Sequence, residues 1–185
     1  MKRIFDIVSS LAVLIILLPL IILISIIIKV TSKGPVIFIQ KRVGQNNKIF
    51  NMYKFRTMKI DTPEIATHLL KDSEKYVTRF GKILRKTSLD ELPQLINIIK
   101  GDMSVVGPRP ALYNQYDLIK YRTELGITRL VPGLTGWAQI NGRDELSIEK
   151  KVNLEKEYLE ENNIFIDFKI ILLSVVKVIK REGIK

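Results

Sequence analysis

The chain has 185 residues, enough for one domain with a modest core, and 46% of them are hydrophobic. Lysine and arginine number 30 against 19 acidic residues, a net charge of +11 that calls for an anionic partner: nucleic acid, a phospholipid surface or a phosphorylated substrate. There are no cysteines and a single histidine, His68, which excludes a disulfide framework, thiol catalysis, cysteine-ligated zinc and any histidine cluster.

From Ile7 to Ile28 no residue is charged. At about 1.5 Å of rise per residue, a helix over this run is long enough to cross a bilayer core. It is too long and too rich in isoleucine for a typical signal peptide, and no small-residue cleavage site follows it. A soluble domain of this size could hardly bury it as a core helix. Pro19 sits near its middle and, lacking an N–H, kinks or breaks a helix there. Lys2 and Arg3 precede the run, and eight lysines and arginines with no acidic residue lie between Lys29 and Lys59. Cation-rich flanks stay cytoplasmic. A helix–break–helix hairpin over residues 1–32 that enters and leaves one leaflet satisfies both flanks, and a single straight pass does not. The expectation is therefore a re-entrant membrane hairpin, with a single-pass helix as the alternative, followed by a cytosolic, membrane-associated domain over residues 33–185.

Residues 33–60 read as a membrane-proximal strand and turn. "VIFIQ" is rich in β-formers and "VGQNN" carries turn residues. The cations here suit anionic headgroups, at about 1 kcal/mol each near the surface. Lys54 and Arg56 are the candidates for substrate binding among these cations: they alternate with the aromatics of "YKFRTM", which predicts both cations on one side of a strand and the rings on the other. "DTPEIATHLL" predicts a short helix with Pro63 near its start, and His68 within it reads as an ordinary surface or packed histidine.

Leu89 to Lys100 is predicted as one helix. Ser88 and Glu91 have capping-box spacing, Leu92, Leu95, Ile96 and Ile99 form an apolar stripe, and Gly101 is a C-terminal stop. In "VPGLTGWAQINGR" the glycines mark turns, while Trp137, Gln139, Asn141 and Arg143 alternate at strand period. "SIEKKVNLEKEYLEENN" predicts an exposed helix of mixed charge. The C-terminal "IFIDFKIILLSVVKVIKREG" is apolar with Lys169, Lys177 and Lys180 within one arc, which fits an in-plane interfacial helix or an ordinary core helix.

The adjacent Asp90 and Glu91 have two readings. Acidic residues near a helix start are favoured by the helix dipole, by about 0.3–1 kcal/mol each, so the pair could be a cap and a first-turn acid. Alternatively, Arg85 stands just upstream, and Arg109 downstream is held between two prolines. A helix N-terminus, two arginines and two carboxylates make a cradle for a phosphate bound through Mg²⁺, with Asp90 and Glu91 as hard oxygen ligands. A carboxylate is also a known covalent nucleophile toward phosphorus.

"TSLDELPQLINIIKGDMSVVGPRP" strongly resembles the bacterial sugar transferases, the monotopic phosphoglycosyl transferases that start glycan assembly on polyprenol phosphate. Further matches are the Lys2-Arg3-x-Phe5-Asp6 start, the apolar segment with Pro19, "YKFRTM", "PGLTGWAQINGR" and "IDFKI". The chain departs at Leu18, where many members place Ser before the membrane proline.

The resemblance implies an α/β fold: a re-entrant helix hairpin, a small mixed helix/strand catalytic domain and membrane-surface amphipathic helices. Its implied place is the cytoplasmic face of the bacterial inner membrane, with both termini cytoplasmic. It implies transfer of a phosphosugar from a UDP-sugar to undecaprenyl or another polyprenol phosphate, releasing UMP, with Asp90 as nucleophile and a phosphosugar-aspartyl intermediate. Glu91 would assist metal binding or proton removal, Mg²⁺ is the expected cofactor, and Arg85 and Arg109 would hold phosphate or nucleotide. Gln139, Asn141 and Arg143 either recognise sugar or nucleotide or form a polar strand face. "IDTPEIATHLL" and "GPRPALYNQYDLI" are similar to capsule-type members that use N-acetylated 6-deoxyamino sugars such as N-acetylfucosamine. The expected partners are thus the UDP-sugar, the polyprenol phosphate and anionic lipids. The competing expectation is a membrane-anchored basic module that binds lipid or nucleic acid without catalysis, though no nucleic-acid-binding motif is present.

Overall fold

The computed structural model describes residues 2–60, 62, 73–142 and 146–180. Helices α1 (Lys2–Ile16) and α2 (Leu18–Thr31) are bent by 64° at Leu17. Pro19 causes the bend, because it offers no N–H to the Ile15 carbonyl and its ring collides with that carbonyl. The break is local: Leu17 N still donates to Val13 O, and Ile21 N to Leu17 O, both at 2.9 Å. Among the described residues no single helix is long and apolar enough to cross a membrane, whereas this bent pair is by length and composition.

Strands β1 (Ile37–Val43) and β2 (Ile49–Phe55) follow as an antiparallel hairpin in register from Ile37–Phe55 to Val43–Ile49. Its turn places Asn46 and Asn47 at φ 52° and 60°, a left-handed conformation that asparagine tolerates. Short helices α3 (Ser73–Tyr76), α4 (Arg79–Lys86) and α5 (Gln94–Lys100) lead to β3 (Ser104–Val106) and β4 (Ala111–Leu112). Then come α6 (Tyr116–Glu124), β5 (Gly133–Thr135), α7 (Trp137–Ile140), α8 (Ile148–Glu161) and α9 (Ile164–Lys180). One sheet has the order β2-β1-β4, and a second pairs β3 and β5 in parallel. The fold is mixed α/β.

Both ends of the bent pair pack on this body. At the start of α1, Arg3 donates to the Ile98 and Ile99 carbonyls, which end α5, and buried Asp6 accepts from Ser104 Oγ at 2.8 Å and Val105 N at 3.1 Å on β3. Lys2 pairs with Asp167 of α9, whose Oδ1 accepts from Tyr158 Oη at 2.6 Å. At the far end of α2, Ile24 and Ile28 are buried against Phe55 and Leu84. Around the bend Ile15, Ile16, Leu18, Ile22 and Leu23 are exposed.

Several sequence expectations change. Leu89–Lys100 is not one helix: Leu89–Glu91 is a single 3₁₀ turn, and α5 starts only after Pro93, whose missing N–H and ring break the helix. Ser88 is left-handed (φ 55°) and its side chain caps nothing, so there is no capping box. The buried face of α5 is Gln94, Leu95, Asn97 and Ile98, while Ile96 is exposed, because two of its inward positions are polar and hid the true phase. Trp137–Ile140 is helical, not extended, since four alternating residues are too few to fix a period against the turn that follows Gly136. Helix α8 is not solvent-exposed all round: Val152, Glu155 and Tyr158 form a buried stripe that a glutamate disguises. Helix α9 packs one face on the body and leaves the other exposed. Ile170 and Asp167 are buried, while Phe165, Phe168 and Leu172 are exposed on the other side. The helix expected over "DTPEIATHLL", with His68, lies outside the described residues.

Candidate active site around Asp90 and Glu91

The 3₁₀ turn that carries the two carboxylates is closed by Glu91 N donating to Ser88 O at 3.2 Å. It packs between β2 and α4, which bring in cations from either side. Lys54 of β2 donates from Nζ to Glu91 Oε1 at 3.0 Å, and Arg109 Nη2 donates to the same oxygen at 2.8 Å. The Lys54 and Glu91 side chains are only 15% and 19% exposed. Burial alone would push the Glu91 carboxyl up, but Arg109 and Lys54 outweigh it and hold the group well below the usual carboxylate range. Burial likewise pulls the Lys54 ammonium down, and Glu91 restores it only in part.

Asp90 is treated differently. Among the described residues it takes part in no hydrogen bond or ion pair. Burial pushes its carboxyl up, with the Glu91 charge adding to that, and the charges of Lys54, Arg85 and Arg109 oppose without overturning the shift. Arg85 on α4 is steadied by donating from Nε to Thr57 Oγ1 at 3.0 Å. The pair thus divides its roles. Glu91 is held as an anion by two cations. Asp90 is half-buried, has no side-chain partner among the described residues, and feels the charges of Lys54, Arg85 and Arg109. The two carboxylates sit on a three-residue 3₁₀ turn, which carries little dipole, and not in the first turn of an α-helix.

The backbone leading into Arg109 is set by the close parallel pairing of β3 with β5. Gly107 N donates to Thr135 O at 2.8 Å, and Gly133 N to Pro108 O at 2.9 Å. A Cβ on Gly133 would lie 2.1 Å from Gly107 N and 2.4 Å from Thr135 O, so this approach needs glycine. On the other flank, β2 is an edge strand whose outward groups are satisfied by one fully buried side chain. Asn97 Oδ1 accepts from Tyr53 N at 3.0 Å, and Nδ2 donates to Asn51 O at 2.7 Å and Asp102 Oδ2 at 3.1 Å. This amide fixes the strand that holds Lys54 to the helix that follows Glu91.

Of the residues singled out from the sequence, Lys54, Arg85, Asp90, Glu91 and Arg109 come together. Arg56 lies past the end of β2 and donates to Lys33 O at 2.9 Å, apart from the carboxylates. Gln139 is buried in α7 behind the Gly107 turn, and its amide has no hydrogen-bond partner among the described residues. Arg143 lies outside the described residues. Sequence reasoning missed Asn97, Arg42, Arg122 and Glu155. The last two sit at core-stripe positions, four residues from Leu118 and three from Val152, and a charge at such a position is the signal that could have found them.

Mg²⁺ takes one or two carboxylates and completes its shell with water and substrate phosphate. The donors here fit that habit: among the described residues Asp90 is uncommitted, and Glu91 meets Lys54 and Arg109 through Oε1. Among the described residues no group of three ligating side chains forms a closed metal cage.

The family described as bacterial sugar transferase matches residues 1–181. The chain belongs to that family. The transferase is 42% identical over 187 residues to a Bacillus subtilis (strain 168) protein named uncharacterized sugar transferase EpsL, covering all of this chain and 90% of that one. It is 40% identical over 185 residues to the UDP-glucose:undecaprenyl-phosphate glucose-1-phosphate transferase of Escherichia coli (strain K12), covering 96% of this chain and 40% of the relative. It is 36% identical over 200 residues to the undecaprenyl-phosphate galactose phosphotransferase of Salmonella typhimurium (strain LT2), covering 99% of this chain and 41% of the relative. The transferase therefore spans nearly all of one relative and about two fifths of the length of the other two.

Proposed function

We propose that the transferase moves a sugar 1-phosphate from a UDP-sugar to undecaprenyl phosphate through a covalent intermediate on Asp90. Asp90 Oδ attacks the sugar-bearing phosphorus. The bond from that phosphorus to the bridging oxygen breaks, and UMP leaves with that oxygen. A phosphate oxygen of the polyprenol phosphate then attacks the same phosphorus, and the Asp90 carboxylate leaves, giving polyprenyl diphosphosugar. No net proton is taken up or released if all phosphates are ionised. Arg109 and Lys54 hold Glu91 and face the developing phosphoryl charge, and Arg85 supplies the third cation. Asp90 and Glu91 are the residues that would hold Mg²⁺, which when bound would neutralise the repulsion between a carboxylate nucleophile and a phosphate.

The observation that carries this reading is the contrast within the pair: the half-buried Asp90 carboxylate has no hydrogen-bond or ion-pair partner among the described residues, while Glu91 beside it is clamped by two cations. The relatives' names support the two substrates. The 64° bend and the packing of both ends of α1–α2 on one body support a re-entrant hairpin on the cytoplasmic face of the inner membrane, with both termini on that face. The exposed Phe165, Phe168 and Leu172 on α9 join it through the Phe5–Phe168 ring contact, 5.3 Å between centroids, and would rest on the lipid.

The test is nucleotide release by the full chain in lipid with Mg²⁺, undecaprenyl phosphate and a panel of UDP-sugars that includes N-acetylated 6-deoxyamino sugars. UMP that disappears with Asp90→Asn supports the reading, and the sugar that is turned over names the donor. UDP in its place would show direct glycosyl transfer. Free sugar phosphate without lipid product would show a hydrolase.

A further inference from the structure

Three consecutive carbonyls in the segment that carries Arg109 each accept a hydrogen bond from a fixed donor. Pro108 O accepts from Gly133 N at 2.9 Å, Arg109 O from Arg122 Nη2 at 2.9 Å, and Pro110 O from Arg42 Nη1 at 2.9 Å. The two prolines fix their own φ angles and leave Arg109 as the segment's one N–H donor, so the segment cannot be held by an ordinary strand ladder. Side-chain guanidinium groups take over that task.

Arg122 is the more unusual of the two arginines. It lies on α6, is 7% exposed, and meets Glu155 of α8, which is 2% exposed. Arg122 Nε donates to Glu155 Oε2 at 2.7 Å, and Nη2 donates to Glu155 Oε1 at 2.5 Å. Burying two charges is costly, and apolar residues of similar volume often serve a core as well or better. Leu118, Ile127 and Val152 supply an apolar setting for such a replacement. What an apolar pair cannot supply is a donor to the Arg109 carbonyl.

We infer that Arg122, oriented by Glu155, is a positioning residue for the transfer: it holds the Arg109 backbone so that the Arg109 guanidinium stays on Glu91 and faces the phosphate beside Asp90. This rests on the reading of Asp90 and Glu91 as the transfer site. Arg122 touches neither carboxylate of that site and acts through one carbonyl. Glu155 fixes the plane of the fork, so that Nη2 serves the carboxylate and the carbonyl together. Lysine at position 122 would keep the charge opposite Glu155 but lose the rigid fork. A shift of about 1 Å in a group that orients substrate can cost on the order of a hundredfold in rate.

The experiment compares the full chain in lipid with the double variant Arg122→Met/Glu155→Leu and with Arg122→Lys. Three readouts are taken: thermal unfolding, UMP release, and hydrogen exchange of the peptide over residues 106–112. The double variant is expected to unfold near the wild-type temperature, to lose at least tenfold in kcat/KM, and to exchange at least tenfold faster within 106–112. Arg122→Lys is expected to show the same two defects in milder form, and it decides the matter alone if the double variant does not fold. Wild-type exchange and a wild-type rate in the folded variant would overturn the inference and leave the pair a core contact. Exchange is read without any substrate. A wild type that releases no UMP would therefore count against the transfer reading, while faster exchange over 106–112 would still uphold the hold on Arg109.

Discussion

Neutralising the two adjacent carboxylates should change stability in opposite directions. Glu91→Gln removes the charge that accepts two charge-assisted hydrogen bonds, at 3.0 and 2.8 Å, and leaves Lys54 buried without its counter-ion. Arg109 is 41% exposed, so its share is discounted for screening, and most of the cost comes from Lys54. Together these give about 2–3 kcal/mol, or about 5–10 °C in Tm for a chain of this size. Asp90→Asn removes a desolvated charge that no described residue pairs with and relieves its repulsion from Glu91, so Tm should rise. The pH dependence separates the two further. The Glu91 carboxyl is depressed on folding, so its stabilisation is present above the unfolded value of about 4.3 and is lost as pH falls through the folded value. The Asp90 carboxyl is raised, so its contribution favours the fold as pH falls through that raised value. Scanning calorimetry of the wild type and both variants in the same lipid, at about pH 7.5, 5.5 and 3.5, measures this. Equal downward shifts in Tm for the two variants would refute the division of roles between them.

The acid limb of UMP release should lie above the ordinary aspartate value, because burial raises the Asp90 carboxyl and only the carboxylate attacks; a limb near pH 4 would argue against Asp90 as nucleophile. Gly133→Ala drives a Cβ into the backbone of Gly107 and Thr135, which should cost about 3 kcal/mol and at least tenfold in transfer as Arg109 moves, read by Tm and UMP release. Asn97→Ala leaves Tyr53 N and Asn51 O on the β2 edge without their partner, for a loss of about 2–4 kcal/mol in denaturant titration, with transfer falling as Lys54 drifts from Glu91.

Local chemistry was legible in the chain wherever one residue imposes its own constraint. Pro19 interrupts any helix that contains it, the Gln45–Asn47 turn needs residues that accept left-handed backbone, and "VIFIQ" enters the strand its composition favours. The motif around Asp90 and Glu91 also carried the family. Phase and partnership were not legible. Pro93 split a helix that its flanking leucines and isoleucines seemed to unite, and Gln94, Asn97, Arg122 and Glu155 took buried positions that a hydrophobic pattern assigns to apolar side chains. Arg56 and Lys54 share a motif, yet only Lys54 reaches Glu91, because the strand ends at Phe55. Sequence alone determined that Asp90 and Glu91 are adjacent and that cations are plentiful. Only the tertiary structure decided that Lys54, from 37 positions earlier, and Arg109, from 18 positions later, would both close on Glu91 and, among the described residues, leave Asp90 without a partner. The reason is physical: a charge acts through distance and solvent exposure, and both are set by how distant segments pack.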